Sequence, residues 1–367
     1  MNPSEFVLRR EERVLFELRA LYQSYGYAQY KMGKFEEYDL YARNKDFLVS
    51  DGIITFTDTD GRLMALKPDV TLSIIRNTRD LEDCVQKVFY SENVYRISGS
   101  TRQFKELMQT GLECIGGVDL YQLCEVIALA ARSLNAIHPA NVLELSHMGV
   151  VSALVNQLEL EPDAREAVIR CIGQKNADGI RELCPGRKLD AVLALVAAHG
   201  RPADVIAALE PHCKQGLARA ALDELQAVTG ILEKQGLSNL QLDFSIVNDM
   251  NYYNGIVFQG YIEGIPSGVL SGGQYDRLMQ RMGRRSRAVG FAIYMDLLER
   301  LEAGSRPYDV DTLVLYDASA DTAALAKAIA DLTADGTTVA AQRAIPGKLT
   351  YRRLCAFEGG MIVERHD

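Results

Sequence analysis

Four separated stretches of this 367-residue chain hold the residue types that do chemistry at close range. They are ALKPDVT at 65–71, YRISGSTRQFKELMQTGLECIGG at 95–117, NDMNYYNG at 248–255, and LSGGQYDRL leading to AVGFAIYMDLL at 270–298. Together they offer two carboxylates (Asp69, Glu113), an amide (Gln109), a hydroxyl (Thr71), three phenols (Tyr252, Tyr253, Tyr275) and one guanidinium (Arg96). A carboxylate takes an ammonium group, and a guanidinium takes a carboxylate or phosphate. Taken singly, each stretch has a plain reading. Gln109 and Glu113 read as solvent-facing strand residues, the tyrosines as core, and Gly-Gly before a Tyr as a turn.

Other reactive side chains show no working pattern. The seven cysteines, Cys84, Cys114, Cys124, Cys171, Cys184, Cys213 and Cys355, are widely spaced without a CxxC pair. They read as reduced thiols packed as small hydrophobes. The five histidines are scattered and none falls in HExxH or another ligand spacing. No metal and no cofactor is expected. The arginine cluster QRMGRRSRAVG, with Arg281, Arg284, Arg285 and Arg287, reads as a solvated loop, with a partner contact or an anion site as alternatives.

The elements that must position these groups can be read from periodicity. Phe6 to Tyr25 places Phe6, Val14, Leu15, Leu18 and Leu21 at helical spacing. From Tyr38 to Ile75 the runs are short and strand-like, with Asp60-Gly61 as a hairpin turn. Val85 to Gly117 alternates as two strands about a polar turn, and Leu120 to Leu240 is mainly helical. Strands return at LQLDFSIV and GIVFQGYI, then a helical pattern spans Tyr294 to Leu301. Beyond the linker EAGSRPYD, TLVLY, an Ala-rich helix near Thr322 to Leu332, and TTVAAQ form a small α/β unit. The expected architecture is α+β: a six- or seven-stranded antiparallel sheet flanked by helices over 1–305. It carries a helical insertion at about 163–234 and a C-terminal α/β domain at 306–367.

Composition narrows the function. A net charge of −9 argues against a chain whose main work is gripping nucleic acid, because that affinity rests on Lys and Arg neutralising phosphates. The charged amino terminus and the lack of a roughly 20-residue apolar run point to a cytoplasmic protein.

The four stretches, in this order, resemble the class II catalytic core of histidyl-tRNA synthetases over about residues 5–300. They resemble more closely its paralogues, the ATP phosphoribosyltransferase regulatory subunits of histidine biosynthesis. The resemblance implies a histidine pocket. The Pro-Glu-x-Thr motif at the α-amino end matches Asp69 and Thr71, and Gln-x-Gly-x-Glu matches Gln109, Gly111 and Glu113. The paired tyrosines match Tyr252 and Tyr253, the Gly-Gly turn tyrosine matches Tyr275, and the motif 2 arginine matches Arg96.

The activating machinery departs from the family pattern. Asn248 stands at the catalytic arginine, with Asp249 and Asn251 at the following Gly and Asp, and Leu297 stands at the motif 3 arginine after Asp296. Asparagine and leucine cannot offset charge building on the α-phosphate. The segment from Arg306 carries seven Lys or Arg against nine Asp or Glu, poorly charged for tRNA.

The expected function is therefore a regulatory subunit that is not an enzyme. It would assemble a homodimeric core with a short-form ATP phosphoribosyltransferase catalytic subunit, support its activity and relay inhibition by histidine. The alternative is a divergent histidine–tRNA ligase. A third reading is a stand-alone amino-acid sensor or a transferase using another acyl acceptor.

Overall fold

The computed structural model describes residues 10–45, 52–98, 101–247, 252–301 and 308–365. Phe6, Asn248, Asp249 and Asn251 lie outside the described residues. The chain divides into two compact units, one spanning Glu11–Leu301 and the other comprising the residues on either side of it.

The larger unit is organised by a nine-stranded sheet. Its strands are β1 (Ala28–Gln29), β5 (Val85–Ile97), β6 (Phe104–Gly116), β7 (Asn141–His147), β8 (His199–Gly200), β9 (Leu240–Asp243), β10 (Ile256–Ile262), β11 (Leu270–Gln274) and β12 (Arg287–Tyr294). They lie in the order β1-β5-β6-β12-β11-β10-β7-β9-β8. The six central strands, β5 through β7 in that order, pair antiparallel throughout. The expected six or seven strands correspond to this centre. The excess comes from β1 and β8, which have two residues each, too few for an alternation to be recognised, whereas β9 lies within the strand expected at LQLDFSIV and β7 falls inside the stretch read as mainly helical. A separate three-stranded sheet holds β2 (Phe35–Glu37), β3 (Thr55–Thr57) and β4 (Leu63–Leu66), and β3 and β4 are joined through the Asp60-Gly61 turn.

Side chains alternate across a strand, so each central strand feeds two different environments. Phe89, Leu112, Cys114, Val289, Phe291 and Ile293 go to the main core. That core includes the Leu120–Ile137 helix, whose near-continuous apolar sequence suits an interior position. Asp119 starts this helix by accepting from Tyr121 N and Gln122 N in a capping box. Burying each large apolar side chain contributes about 1.5–3 kcal/mol. The opposite residues, including Tyr90, face a second cluster with Tyr41, Ala65, Leu72, Tyr275 and Leu278.

Helices fill Pro162–Gly173, Ala177–Leu183, Asp190–Ala197, Pro202–Leu209 and Gly216–Lys234. His147 anchors the last of these. Its Nδ1 accepts from Gly149 N at 3.0 Å, and Nε2 lies 2.9 Å from Glu224. The helical pattern expected from Tyr294 resolves differently: Tyr294 ends β12, and Met295–Arg300 is a 3-10 helix. Among the described residues no helix is long and apolar enough to cross a membrane.

The second unit has β13 (Val310–Leu315), a Thr322–Thr333 helix capped by Asp321, β14 (Val339–Gln342), β15 (Tyr351–Glu358) and β16 (Met361–Arg365). The order is β14-β13-β15-β16, with β13 parallel to both neighbours and β15–β16 an antiparallel hairpin.

Candidate functional site

A cavity of about 380 Å³ opens on the sheet face opposite the main core. Its floor follows from register. Tyr90 of β5 pairs with Gly111 of β6, Gly111 with Ala292 of β12, Ala292 with Ser271 of β11, and Ser271 with Gln259 of β10. One row across five strands thus carries three small residues between a phenol and an amide. Small side chains at the centre of the row leave room above the sheet.

All eight residues expected at the site line this cavity: Asp69, Thr71, Arg96, Gln109, Glu113, Tyr252, Tyr253 and Tyr275. Gln109 and Glu113 are 4% and 2% exposed, so the solvent-facing reading of them is excluded. Glu113 is the hub. Thr71 Oγ1 donates to its Oε1 at 2.8 Å, and Tyr275 donates to its Oε2 at 2.6 Å. Thr71, expected at the α-amino end of the pocket, thus reaches Glu113 directly. Burial pushes the Glu113 carboxyl up to about 8, against the opposing pull of the Tyr275 and Thr71 hydrogen bonds, with the nearby Asp69 charge adding to the rise.

The backbone makes space for that carboxylate. Gly290 sits opposite Glu113 on β12, and a Cβ there would lie 1.7 Å from Oε2 and 2.6 Å from Leu112 O. Gly111 is equally constrained, since a Cβ would meet Phe291 O at 2.1 Å.

Asp69 precedes the short Thr71–Asn77 helix and accepts from Leu72 N at 2.9 Å through Oδ1. Burial raises its carboxyl, while the Leu72 hydrogen bond and then the Arg96 charge pull it down. Arg96 Nε donates to Pro68 O at 3.0 Å, which ties β5 to the segment carrying Asp69. Beneath them the buried Lys67 pairs with Glu92 at 2.5 Å. The tyrosines form one wall: Tyr252 and Tyr253 meet edge-on with ring centroids 4.6 Å apart, and Tyr252 lies 5.7 Å from Tyr275. Burial raises all three phenols, so they act as neutral donors.

Tyr90, Gln259, Ser271 and Tyr294 also line the cavity but were not anticipated. Gln259 carried a signal, as a lone amide inside the apolar strand GIVFQGYI. Tyr294 could have been found from register, because it stands opposite Gln109.

Leu297 is half-buried and packs against the main core, so this position supplies no cation to the cavity. The arginine cluster departs from a free loop: Arg284 Nη2 donates to Ile75 O at 3.2 Å, and Arg287 Nε to Asp276 Oδ2 at 3.2 Å. Asp80 accepts from Ser286 and from the backbone N–H of Arg285. Five of the seven cysteines are buried as expected, whereas Cys84 is exposed.

Comparison with known proteins adds relatives to this geometry. The histidyl-tRNA synthetase family model matches residues 1–298. An ATP phosphoribosyltransferase regulatory subunit from Clostridium kluyveri is 31% identical, over 82% of this chain and 81% of the relative. Among solved structures, an ATP phosphoribosyltransferase regulatory subunit/histidyl-tRNA synthetase from Bacillus halodurans aligns with a TM-score of 0.73 at 24% identity, covering 91% of this chain and 88% of that one. A chain of the ATP phosphoribosyl transferase (HisG:HisZ) complex from Thermotoga maritima aligns with a TM-score of 0.62 at 20% identity, covering 78% and 97%. The structural likenesses establish the class II synthetase-like fold.

Proposed function

Because the chain belongs to the histidyl-tRNA synthetase family and, within it, to the ATP phosphoribosyltransferase regulatory subunits, we infer that its work in histidine biosynthesis is regulatory rather than catalytic. It partners a short-form catalytic subunit in a hetero-oligomer, supports that subunit's activity, and carries the site through which histidine feeds back. The cytoplasm is the compartment in which this reading places it.

The observation that carries the reading is the set of ionisable groups lining the cavity. Asp69 and Glu113 face it with Arg96 as the single cationic side chain among the lining residues. This set complements a zwitterion: carboxylates for an ammonium or an imidazole N–H, and a guanidinium for a carboxylate. It opposes a triphosphate, which needs several preorganised cations where Leu297 offers none. The volume lies at the small end of the roughly 300–1,000 Å³ typical of small-ligand pockets, suiting an amino acid alone.

In this account Glu113 and Gln109 read the imidazole and amino groups, Asp69 takes the ammonium, Arg96 takes the carboxylate, and the tyrosines enclose the ring. Histidine regulates the complex only if it binds two assembly states unequally, so the pocket's shape must differ between them. Co-purification with a short-form catalytic subunit tests the assignment. A catalytic subunit that is fully active alone and is not retained by this chain would overturn it.

A further inference from the structure

A second constellation shares no lining residue with the cavity, although it begins next to it: Glu144 stands opposite the cavity-lining Gln259 in the β7–β10 pair. Three neighbouring strands bring together Glu144 of β7, His199 of β8 and Asp243 of β9. His199 stands directly opposite Asp243 in the antiparallel β8–β9 pair. In the parallel β7–β9 pair Glu144 stands opposite Gln241, two residues before Asp243, so the two carboxylates emerge on one face of the sheet. One ligand atom from each of the three residues lies within 4.8 Å of the other two.

The electrostatic arrangement is uneven. Asp243 is only 3% exposed, Glu144 is half-buried, and the Lys175 ammonium pairs with Asp243. Lys175 Nζ donates to Asp243 Oδ2 at 2.7 Å, and Oδ1 accepts from Ser245 N at 2.8 Å. Lys175 comes from the turn between the Pro162–Gly173 and Ala177–Leu183 helices, where its backbone is left-handed at φ 53°. A lysine in that conformation is uncommon. Its ammonium links this turn of the helical segment to the sheet through Asp243.

We propose that Glu144, His199 and Asp243 form a binding site for a late first-row divalent metal ion of the zinc class, which exchanges with the Lys175 ammonium. The imidazole makes the difference from a plain acidic cluster. Two carboxylate oxygens and one nitrogen suit zinc, cobalt or nickel, whereas calcium and magnesium prefer all-oxygen sets. Three protein ligands leave a fourth tetrahedral position to water. Bonds of about 2.1 Å place tetrahedral ligands about 3.4 Å apart, so groups already within 4.8 Å of one another need only a small closure on binding. His199 is exposed and has the freedom to make that movement. Sequence spacing hides the site because each ligand comes from a different strand, with the helical segment between the first and the last. A bound ion would clamp β8 to β9 and β7 and release Lys175, exchanging one ionic link for another.

The test uses the metal-free full-length chain titrated with Co²⁺ and followed by visible d–d absorption. One ion per chain should bind without a thiolate charge-transfer band. His199→Ala, a change at an exposed position, should weaken binding at least tenfold with unchanged circular dichroism. Lys175→Gln should tighten it severalfold by removing the competing cation. Equal binding in His199→Ala, a thiolate band from one of the seven cysteines, no saturation below millimolar Co²⁺, or no gain in Lys175→Gln would each overturn the proposal.

Discussion

Tyr275 donates its phenolic hydrogen to Glu113 at 2.6 Å across 162 positions of sequence, joining the end of β11, where Gly272 and Gly273 are paired strand residues and not the turn expected, to the C-terminal part of β6. The bond holds a carboxyl that burial would rather keep protonated. The pocket's chemistry therefore depends on one group whose charge state is set by what lies beside it.

Its protonation gives the first expected outcome. Glu113 has its carboxyl raised from 4.5 to about 8, so the folded chain holds a proton there that the unfolded chain releases. The stability this group contributes is complete below pH 4.5 and falls as pH rises through about 8, by roughly 3–5 kcal/mol as an upper bound. Chemical denaturation of the ligand-free chain between pH 5 and 8 should show the decline, and Glu113→Gln should flatten it.

Binding a cationic group should reverse that protonation. A ligand ammonium or imidazole N–H beside Glu113 favours the carboxylate, so histidine binding near pH 7 should release a proton. Calorimetry in two buffers of different ionisation enthalpy measures it directly. Identical heats in both buffers would mean that Glu113 does not ionise on binding.

Gly290→Ala tests the space reserved for Glu113. The added Cβ lies 1.7 Å from Oε2 and 2.6 Å from a backbone oxygen, so both the carboxylate and the strand pairing must shift. Histidine affinity should fall at least tenfold, with about 1–3 kcal/mol of lost stability from overpacking. Wild-type affinity in this variant would contradict the placement of Glu113.

Much of this arrangement was legible in the sequence, for identifiable reasons. The β5–β6 hairpin, 13 residues per strand, was readable as two strands about a polar turn, and the family resemblance, through the Gln-x-Gly-x-Glu spacing, assigned Gln109, Gly111 and Glu113 to the pocket. Tyr294 was hidden because its site role depends on strand register opposite Gln109, and a periodicity that continues into Met295–Arg300 masks the end of β12. The β15–β16 hairpin was missed although Gly359-Gly360 marks its turn, because β16 is exposed along most of its length and shows no apolar stripe. The cluster of Glu144, His199 and Asp243 has no local pattern at all; only the pairing of three strands creates it.

Stability beneath the site rests on Lys67 and Glu92. Lys67 is 1% exposed and lies 2.5 Å from the Glu92 carboxylate. Glu92→Ala would leave a buried ammonium without its partner, which costs about 3–5 kcal/mol. Thermal unfolding should show a clear drop in midpoint. A change below 1 kcal/mol would mean that Lys67 finds another acceptor.

The central claim is that this fold senses histidine for another protein's chemistry. The most direct measurement is ATP phosphoribosyltransferase activity of a short-form catalytic subunit, with and without this chain, across a histidine titration. The account predicts that activity rises when the chain is added, that histidine inhibits the complex, and that Arg96→Gln weakens the inhibition at least tenfold while leaving the activation in place. Unchanged activity and histidine response on adding the chain, together with histidine-dependent pyrophosphate exchange into ATP by the chain alone, would contradict it.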